Sequence, residues 1–173
     1  ERCADYFAGD DGMAAGPLTN LFVDASGSVY YTTAGNGYAV YAGEEWRTLA
    51  VAEPALIGNR VKALAHDGDG NLWAATEAGV QQLAAVGDEN EPPLLFDAEA
   101  SGISPLGIQT LHRGADGGIW VGGRQGASFY AGDEWETLDT AGGLASNNVQ
   151  AITIDGDGRV WFGSDRGISI WNG

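Results

Sequence analysis

Two short acidic segments, DGDGN at 67–71 and DGDGR at 155–159, carry the residue types of a calcium-binding loop. Aspartate and asparagine at alternating positions offer oxygen ligands to Ca²⁺, but a complete loop of this kind has a bidentate glutamate at its twelfth position. Ala78 occupies that position here, and the related segments at 24–27 and 114–117 each have one acidic residue where DGDG has two. Because a turn tolerates that loss and a metal site does not, we interpret all four segments as tight turns between strands and predict no metal site.

The remaining reactive side chains show no catalytic spacing. Gly-x-Ser-x-Gly, Ser-x-x-Lys and His-Glu-x-x-His, which place a nucleophile or a metal beside its partners, do not occur in the sequence. GGRQG at 122–126 lies between strand-like segments and is interpreted as a turn, not as a phosphate-binding loop. His66 and His112 are interpreted as strand residues that face a turn or a neighbouring strand. The sequence therefore predicts no catalytic residue, no cofactor and a protein that is not an enzyme.

The charge balance excludes several classes of partner. The chain of 173 residues carries 24 acidic and 8 basic residues, a formal net charge of −16. A phosphate backbone or an anionic membrane surface requires a positive patch, so we expect no nucleic acid partner and no membrane binding. Apolar runs stay far below the about 20 residues of a membrane span. Cys3 is the only cysteine, which excludes an internal disulfide and thiolate metal sites.

An internal repeat organises the chain. The glycines of the four turns, Gly27, Gly70, Gly117 and Gly158, are 43, 47 and 41 residues apart. Each copy contains a strand, the turn, a second strand, a short loop and a third strand. An aromatic residue follows each turn glycine by three positions: Tyr30, Trp73, Trp120 and Trp161. A period in the forties with turn-separated strands and a fixed aromatic is typical of β-propeller blades, and we interpret the aromatic as a packing wedge between blades.

The repeat predicts an all-β fold, a β-propeller of four four-stranded blades in a single domain, 1–173. The blades are expected at about 18–49, 57–96, 106–139 and 147–171. Outer strands are predicted at 45–49, 94–96 and 134–138, and the longer acidic segment 84–106 is expected to be a surface excursion. The last blade lacks a fourth strand, so we predict that residues 12–18 pair with Ile168–Trp171 and close the ring. A homodimer of two half-rings, giving eight blades, is the alternative.

The variable loops give the predicted binding residues. Loops between second and third strands and the segments that enter first strands should open on one face around the central channel, where propellers commonly bind. We expect ligand or partner binding at the charged members of these loops: Arg60, Glu77, Arg124, Asp165 and Arg166.

The repeat also resembles a known family. NRVKALAHDGDGNLWAATEAGV at 59–80 and NVQAITIDGDGRVWFGSDRGI at 148–168 are similar to the two-component regulator propeller repeat. The resemblance implies an extracytoplasmic domain, periplasmic or extracellular, that senses a ligand or partner without catalysis. Residues 1–20 contain no basic start followed by an apolar block, as expected of a mature secreted form.

Two functions are compatible with these observations. The first is a non-enzymatic recognition module that binds a protein partner or small ligand at its loop face, or a structural subunit of a larger extracytoplasmic assembly. The second is a lyase or hydrolase with its site in the central funnel. Histidine, arginine and glutamate side chains converging on the channel mouth would favour the enzyme.

Overall fold

The computed structural model describes residues 5, 12–24, 26–42, 44–49, 56–83, 94–96, 107–131 and 133–173. Within these residues, 15 strands form four antiparallel sheets, each a meander in which consecutive strands are neighbours. We call the sheets blades 1 to 4. No helix in the described part of the chain has the length and apolar character needed to cross a membrane.

The strand bounds agree with the predicted repeat. Blade 1 contains β1 (Leu18–Val23), β2 (Val29–Thr33), β3 (Tyr38–Ala42) and β4 (Glu45–Leu49). Blade 2 contains β5 (Val61–His66), β6 (Leu72–Thr76), β7 (Val80–Leu83) and β8 (Leu94–Phe96). Blade 3 contains β9 (Thr110–Arg113), β10 (Ile119–Gly123), β11 (Gly126–Ala131) and β12 (Glu134–Leu138). Blade 4 contains β13 (Val149–Ile154), β14 (Val160–Ser164) and β15 (Gly167–Trp171). Apart from β8, the segment 84–106 lies outside the described residues.

The four predicted turns are confirmed. Gly27, Gly70, Gly117 and Gly158 have φ angles of 88°, 89°, 93° and 81°, a region that side chains with a Cβ rarely adopt. In three of the turns the leading aspartate accepts hydrogen bonds from the backbone N–H groups of the turn. These aspartates are Asp24, Asp67 and Asp155. The DGDG segments therefore act as hydrogen-bonded turns, as the sequence predicted.

The hydrophobic core lies between the blades. The first strands of successive blades contact one another, β1 with β5, β5 with β9 and β9 with β13, which makes them the inner strands. Tyr30, Trp73 and Trp120 are buried, each in a cluster with residues of the next blade. The predicted role of the aromatic as a wedge between blades is confirmed at these three positions. Trp161 of blade 4 is only half-buried.

A polar side chain at one position of the inner strand makes an equivalent hydrogen bond across each of the three joints between blades 1 and 2, 2 and 3, and 3 and 4. Thr19 Oγ1 donates to the carbonyl oxygen of Val61 at 3.2 Å. Lys62 Nζ donates to that of Ile108 at 3.0 Å, and Gln109 Nε2 to that of Val149 at 3.4 Å. Each donor lies eight residues before the turn glycine of its own blade, and each acceptor lies nine residues before the turn glycine of the next blade. Each joint is thus held by apolar packing together with one equivalent polar contact.

The predicted closure of the ring by residues 12–18 is wrong. This segment lies against blade 1, and β15 pairs only with β14 among the described strands. Blade 1 side chains donate hydrogen bonds to backbone carbonyls of the segment: Thr48 to Gly12, Tyr31 to Ala14 and Asn36 to Ala15. Gly12 and Gly143, each 15 residues before a turn glycine, both have positive φ, 79° and 109°. Residues 12–17 therefore pack against blade 1 and add no strand to blade 4.

Candidate functional site

A cleft of about 500 Å³ opens between the first three blades, at the ends of the inner strands where β5 begins. It is formed by entry segments to inner strands, by loops between second and third strands, and by the inner strands themselves. Its lining residues are Thr19, Ala34, Arg60, Val61, Lys62, Gly107, Ile108, Gln109 and Arg124. Within blades 1 to 3, members of both loop sets therefore line a single cleft.

The cleft concentrates positive charge in an acidic protein. Arg60, Lys62 and Arg124 are three of the eight basic residues of the chain, and the described lining contains no aspartate or glutamate. In the described part of the chain, no carboxylate lies within ion-pair distance of these three side chains, whereas Arg159 pairs with Asp155. The cations are therefore available to an anionic group that enters the cleft.

A hydrogen bond positions Lys62 in the cleft, and packing over a glycine positions Arg124. Lys62 is half-buried, and its hydrogen bond to the Ile108 carbonyl leaves two ammonium donors for other acceptors. The aliphatic part of Arg124 lies directly over Gly107, where an added Cβ would stand only 2.8 Å from its Cγ and Cδ. Gly107 has φ of 105°, so both its conformation and its lack of a side chain give room to Arg124.

Glu77 lies at the rim beside Arg60. Its Oε2 accepts a hydrogen bond of 2.9 Å from the backbone N–H of Arg60, so the carboxylate fixes the segment that enters β5. Glu77 does not belong to the lining of the cleft. Its contact with Arg60 is structural, which differs from the binding role that the sequence predicted for it.

Asp165 and Arg166 lie apart from the cleft, in the loop between β14 and β15. Hydrogen bonds from Ser146 and Asn148 lower the pKa of Asp165 below its usual value, so this carboxylate organises the entry to β13. The backbone N–H of Arg166 donates to Ser164 Oγ at 3.3 Å. Of the five predicted binding residues, the structure therefore brings Arg60 and Arg124 together and leaves the other three outside the cleft.

Three lining residues were missed because the prediction considered loops and not strands. Thr19, Lys62 and Gln109 occupy one repeat position on the inner strands, and their side chains reach the cleft. The sequence contained a signal for them, because this position is polar in all four copies: Thr19, Lys62, Gln109 and Gln150.

The polar side chains of the lining can donate hydrogen bonds, and three of them carry positive charge. Among the described lining residues, none is a histidine, a cysteine or a carboxylate, the usual general bases. His66 lies at the far end of β5, where its Nδ1 is 2.9 Å from the Gly70 carbonyl oxygen, and His112 Nδ1 is 2.8 Å from the carbonyl oxygen of Arg113. The cluster of histidine, arginine and glutamate that would favour an enzyme does not assemble in the described cleft.

A second, smaller cleft of about 190 Å³ lies between the turns of blades 2 and 3, and Asp67, Asp69 and Asp116 are among its lining residues. Asp67 uses both carboxylate oxygens for N–H donors of its own blade, including the indole Nε1 of Trp73 at 2.9 Å. Asp116 Oδ1 accepts from the backbone N–H of Gly118 at 3.2 Å. These carboxylates stabilise turns.

The chain is similar to known propellers in sequence. Residues 55–78 and 143–166 match the two-component regulator propeller model. A curated relative, the photosystem II assembly lipoprotein Ycf48 of Synechococcus sp. (strain CC9902), is 31% identical over 132 residues. That match covers 72% of this chain and 37% of the relative, so the chain spans little more than a third of the length of the relative.

Solved structures agree on the fold. The extracellular domain of a hybrid two-component system of B. thetaiotaomicron matches 98% of this chain and 23% of its own, with 19% identity and a TM-score of 0.80. YCF48 bound to D1 peptide matches 90% of this chain and 50% of its own, with 16% identity and a TM-score of 0.66. A virginiamycin B lyase of Staphylococcus aureus matches 92% of this chain and 56% of its own, with 12% identity and a TM-score of 0.62.

At these identities the structural likeness shows the fold alone. The sequence match is more specific, because it falls on the blades that contain the two DGDG turns. Both matched segments contain a turn that begins with an aspartate and a tryptophan at fixed spacing from it. The chain is a β-propeller in which two of the four blades match the two-component regulator propeller repeat.

Proposed function

We propose that the protein is a non-enzymatic recognition module that binds an anionic group, such as a carboxylate of a small ligand or of a protein partner, in the cleft between the first three blades. The observation that carries this proposal is the convergence of Arg60, Lys62 and Arg124 on one cleft of an otherwise acidic chain. Guanidinium groups bind carboxylates through two parallel hydrogen bonds, and an ammonium group adds a point charge.

The overall negative charge limits the kind of ligand. At physiological ionic strength the Debye length is about 8 Å, so a group inside the cleft is attracted by the three cations while most distant carboxylates are screened. A compact anion or a short acidic segment fits this field better than an extended polyanion. The peptide in the YCF48 structure gives a precedent, in another protein, for a propeller of this shape in complex with a peptide.

A location outside the cytoplasm, and a place in a larger assembly there, belong to the same proposal. The likeness to extracellular domains of two-component systems and to an assembly lipoprotein supports both. Immunoblotting of periplasmic, membrane and cytoplasmic fractions of the producing cells tests the location, and recovery of the chain in the cytoplasmic fraction would contradict it.

Calorimetric titration with two peptides tests the binding proposal. A tetraglutamate peptide should bind, and its tetraglutamine counterpart should not. Lys62→Gln is the sharpest variant, because glutamine makes the equivalent inter-blade bond at position 109 and so removes the charge while keeping that bond. Loss of a charged hydrogen bond is worth about 1.5–3 kcal/mol, which corresponds to roughly a tenfold or greater fall in affinity.

Arg124→Gln should have a similar effect, and Arg113→Gln is the control. Arg113 is exposed at the opposite end of β9 and does not line the cleft. Equal binding of the two peptides, or equal losses in the cleft variants and in Arg113→Gln, would refute the proposed site.

A further inference from the structure

Blade 3 differs from the other blades at the loop that enters the cleft. In blades 1, 2 and 4 the second strand ends in a residue with a hydroxyl group, and that hydroxyl donates a hydrogen bond across the loop to a glycine carbonyl oxygen. The bonds join Thr33 to Gly37 at 3.0 Å, Thr76 to Gly79 at 3.2 Å and Ser164 to Gly167 at 2.9 Å. The second strand of blade 3 ends in Gly123, which has no hydroxyl group to make this bond.

The first residue after the second strand also differs in blade 3. In blades 2 and 4 this residue is an acid, Glu77 or Asp165, whose carboxylate accepts hydrogen bonds from the segment that enters the first strand of the same blade. Blade 3 has Arg124 at this position. A guanidinium group has no acceptor atom, so Arg124 cannot stabilise the entry segment in the same way. The blade 3 loop therefore lacks both of these structural contacts.

Two glycines of blade 3 let Arg124 lie against the entry segment instead. An added Cβ at Gly123 would stand 2.9 Å from the carbonyl oxygen of Gly107. An added Cβ at Gly107 would stand 2.8 Å from both Cγ and Cδ of Arg124. A side chain at either position would therefore separate the strand end, the entry segment and the arginine. Gly107, Gly123 and Arg124 thus form one arrangement, and Gly107 and Arg124 line the cleft.

This arrangement holds the stem of Arg124 and leaves its guanidinium group available. Among the residues that the structure describes, none makes a hydrogen bond or an ion pair with that guanidinium group. Arg60, by contrast, is held through its backbone N–H, and its side chain is exposed. A guanidinium group whose stem is already fixed loses less conformational freedom when a ligand binds, so its hydrogen bonds add more to the affinity.

We propose that Gly107 and Gly123 are positioning residues for Arg124, and that Arg124 binds one carboxylate of the ligand through two parallel hydrogen bonds. Arg60 and Lys62 then contribute chiefly their positive charge. This inference rests on the proposed function and narrows its anionic group to a carboxylate that binds at blade 3. It assigns the specificity of the cleft to one of its three cations.

Calorimetric titration with the tetraglutamate peptide tests the role of Arg124 through two matched variants, Arg124→Lys and Arg60→Lys. Lysine keeps the positive charge but lacks the planar pair of donors. Arg124→Lys should lower the affinity about tenfold or more, whereas Arg60→Lys should lower it by less than about threefold. Both side chains are exposed, so both variants should fold, which circular dichroism checks.

Gly107→Ala tests the positioning role. The added methyl group should displace Arg124 and lower the affinity about tenfold in the wild-type chain. The same substitution should have little further effect in an Arg124→Ala background, because the side chain that it displaces is absent. Gly143→Ala is the control for backbone strain, since Gly143 has φ of 109°, close to the 105° of Gly107, and has no described atom within 4 Å of its Cβ position. It should leave the affinity unchanged.

Three results would overturn the inference. A wild-type chain that does not bind the peptide would refute the proposed function and this inference with it. A wild-type chain that binds the peptide no better than Arg124→Lys does would leave the proposed function intact and refute the paired hydrogen bonds of Arg124. Equal losses for Gly107→Ala in both backgrounds would refute the positioning role.

Discussion

The aspartate that begins each DGDG turn links the turn to the aromatic wedge of the same blade. In blade 2, Asp67 accepts backbone hydrogen bonds through Oδ1 and the indole N–H of Trp73 through Oδ2. In blade 4, Asp155 does the same with Trp161 at 2.8 Å. The spacing of six residues between aspartate and tryptophan is thus a chemical link. It satisfies an indole N–H that burial would otherwise leave without a partner.

We predict that Asp67→Asn lowers the free energy of unfolding at neutral pH by about 2 kcal/mol, the usual range for a hydrogen bond to a charged group. The amide removes the negative charge, and its NH₂ group cannot accept the hydrogen bonds that converge on the carboxylate. Urea denaturation measures the effect. Asp69→Asn is the control, since Asp69 is exposed and contributes its backbone N–H to the turn. A loss for Asp69→Asn as large as for Asp67→Asn would contradict this assignment.

The same variant has a pH signature. Burial raises the pKa of Asp67, but hydrogen bonds from Trp73, Asn71 and the turn backbone together outweigh it, so the pKa lies below its ordinary value of 3.8. A depressed folded-state pKa contributes stability that is present above pH 3.8 and is lost as the pH falls through the folded-state value. The difference between the wild type and Asp67→Asn should therefore shrink below pH 3.8. A difference that is constant with pH would mean that the charge is not responsible.

At the scale of the blade, the contribution of the aromatic wedge to the free energy of unfolding depends on whether another blade covers it. Trp73 is fully buried among Phe96, Tyr130 and Trp135, the last two from blade 3. Trp161 has the same position and the same bond to its aspartate, but it is half-buried. The two tryptophans form a matched pair that separates inter-blade packing from the hydrogen bond within the blade.

We predict that Trp73→Ala lowers the free energy of unfolding by about 3–5 kcal/mol, the usual cost of truncating a buried tryptophan. Trp161→Ala should cost markedly less, because fewer packing contacts are lost. Both are measured by urea denaturation. Equal losses would show that the hydrogen bond to aspartate dominates over packing between blades.

The blades were predictable from the sequence because their determinants are local. A glycine with positive φ, an aspartate and an aromatic at fixed spacing define each turn and second strand, and an inner strand of apolar residues precedes them. The contacts of residues 12–17 were not predictable in this way. The sequence predicts that they pair with β15, but their carbonyls accept hydrogen bonds from Thr48, Tyr31 and Asn36 of blade 1. The choice between pairing with β15 and packing against blade 1 depends on three-dimensional contacts.

The lining of the cleft was predictable only in part, for a related reason. Arg60 and Arg124 lie on loops, where variation in charge stands out against the repeat. Lys62 lies within an inner strand, and its role depends on the joint that brings β5 beside Ile108 and Gly107. Sequence periodicity gives the order of strands within a blade. It does not give the distance between side chains of different blades, which the apolar packing at each joint determines.

At the scale of the whole molecule, the net charge of −16 opposes compactness. Between about 0.01 M and about 1 M NaCl the Debye length falls from about 30 Å to about 3 Å, which removes most repulsion between surface carboxylates. Binding of an anion to Arg60, Lys62 and Arg124 depends on attraction, which the same salt weakens. Added salt should therefore raise the stability of the fold and lower the affinity for an anion.

We predict that the urea denaturation midpoint of the chain rises with NaCl over this range, while its affinity for the tetraglutamate peptide falls. Urea is uncharged, so it does not itself screen. Lys62→Gln is the control for the second measurement and should show a weaker salt dependence of peptide binding. A midpoint that falls with salt would mean that attractive ion pairs, and not self-repulsion, dominate the folded state. Peptide affinity that is independent of salt would remove the cations of the cleft from the binding site.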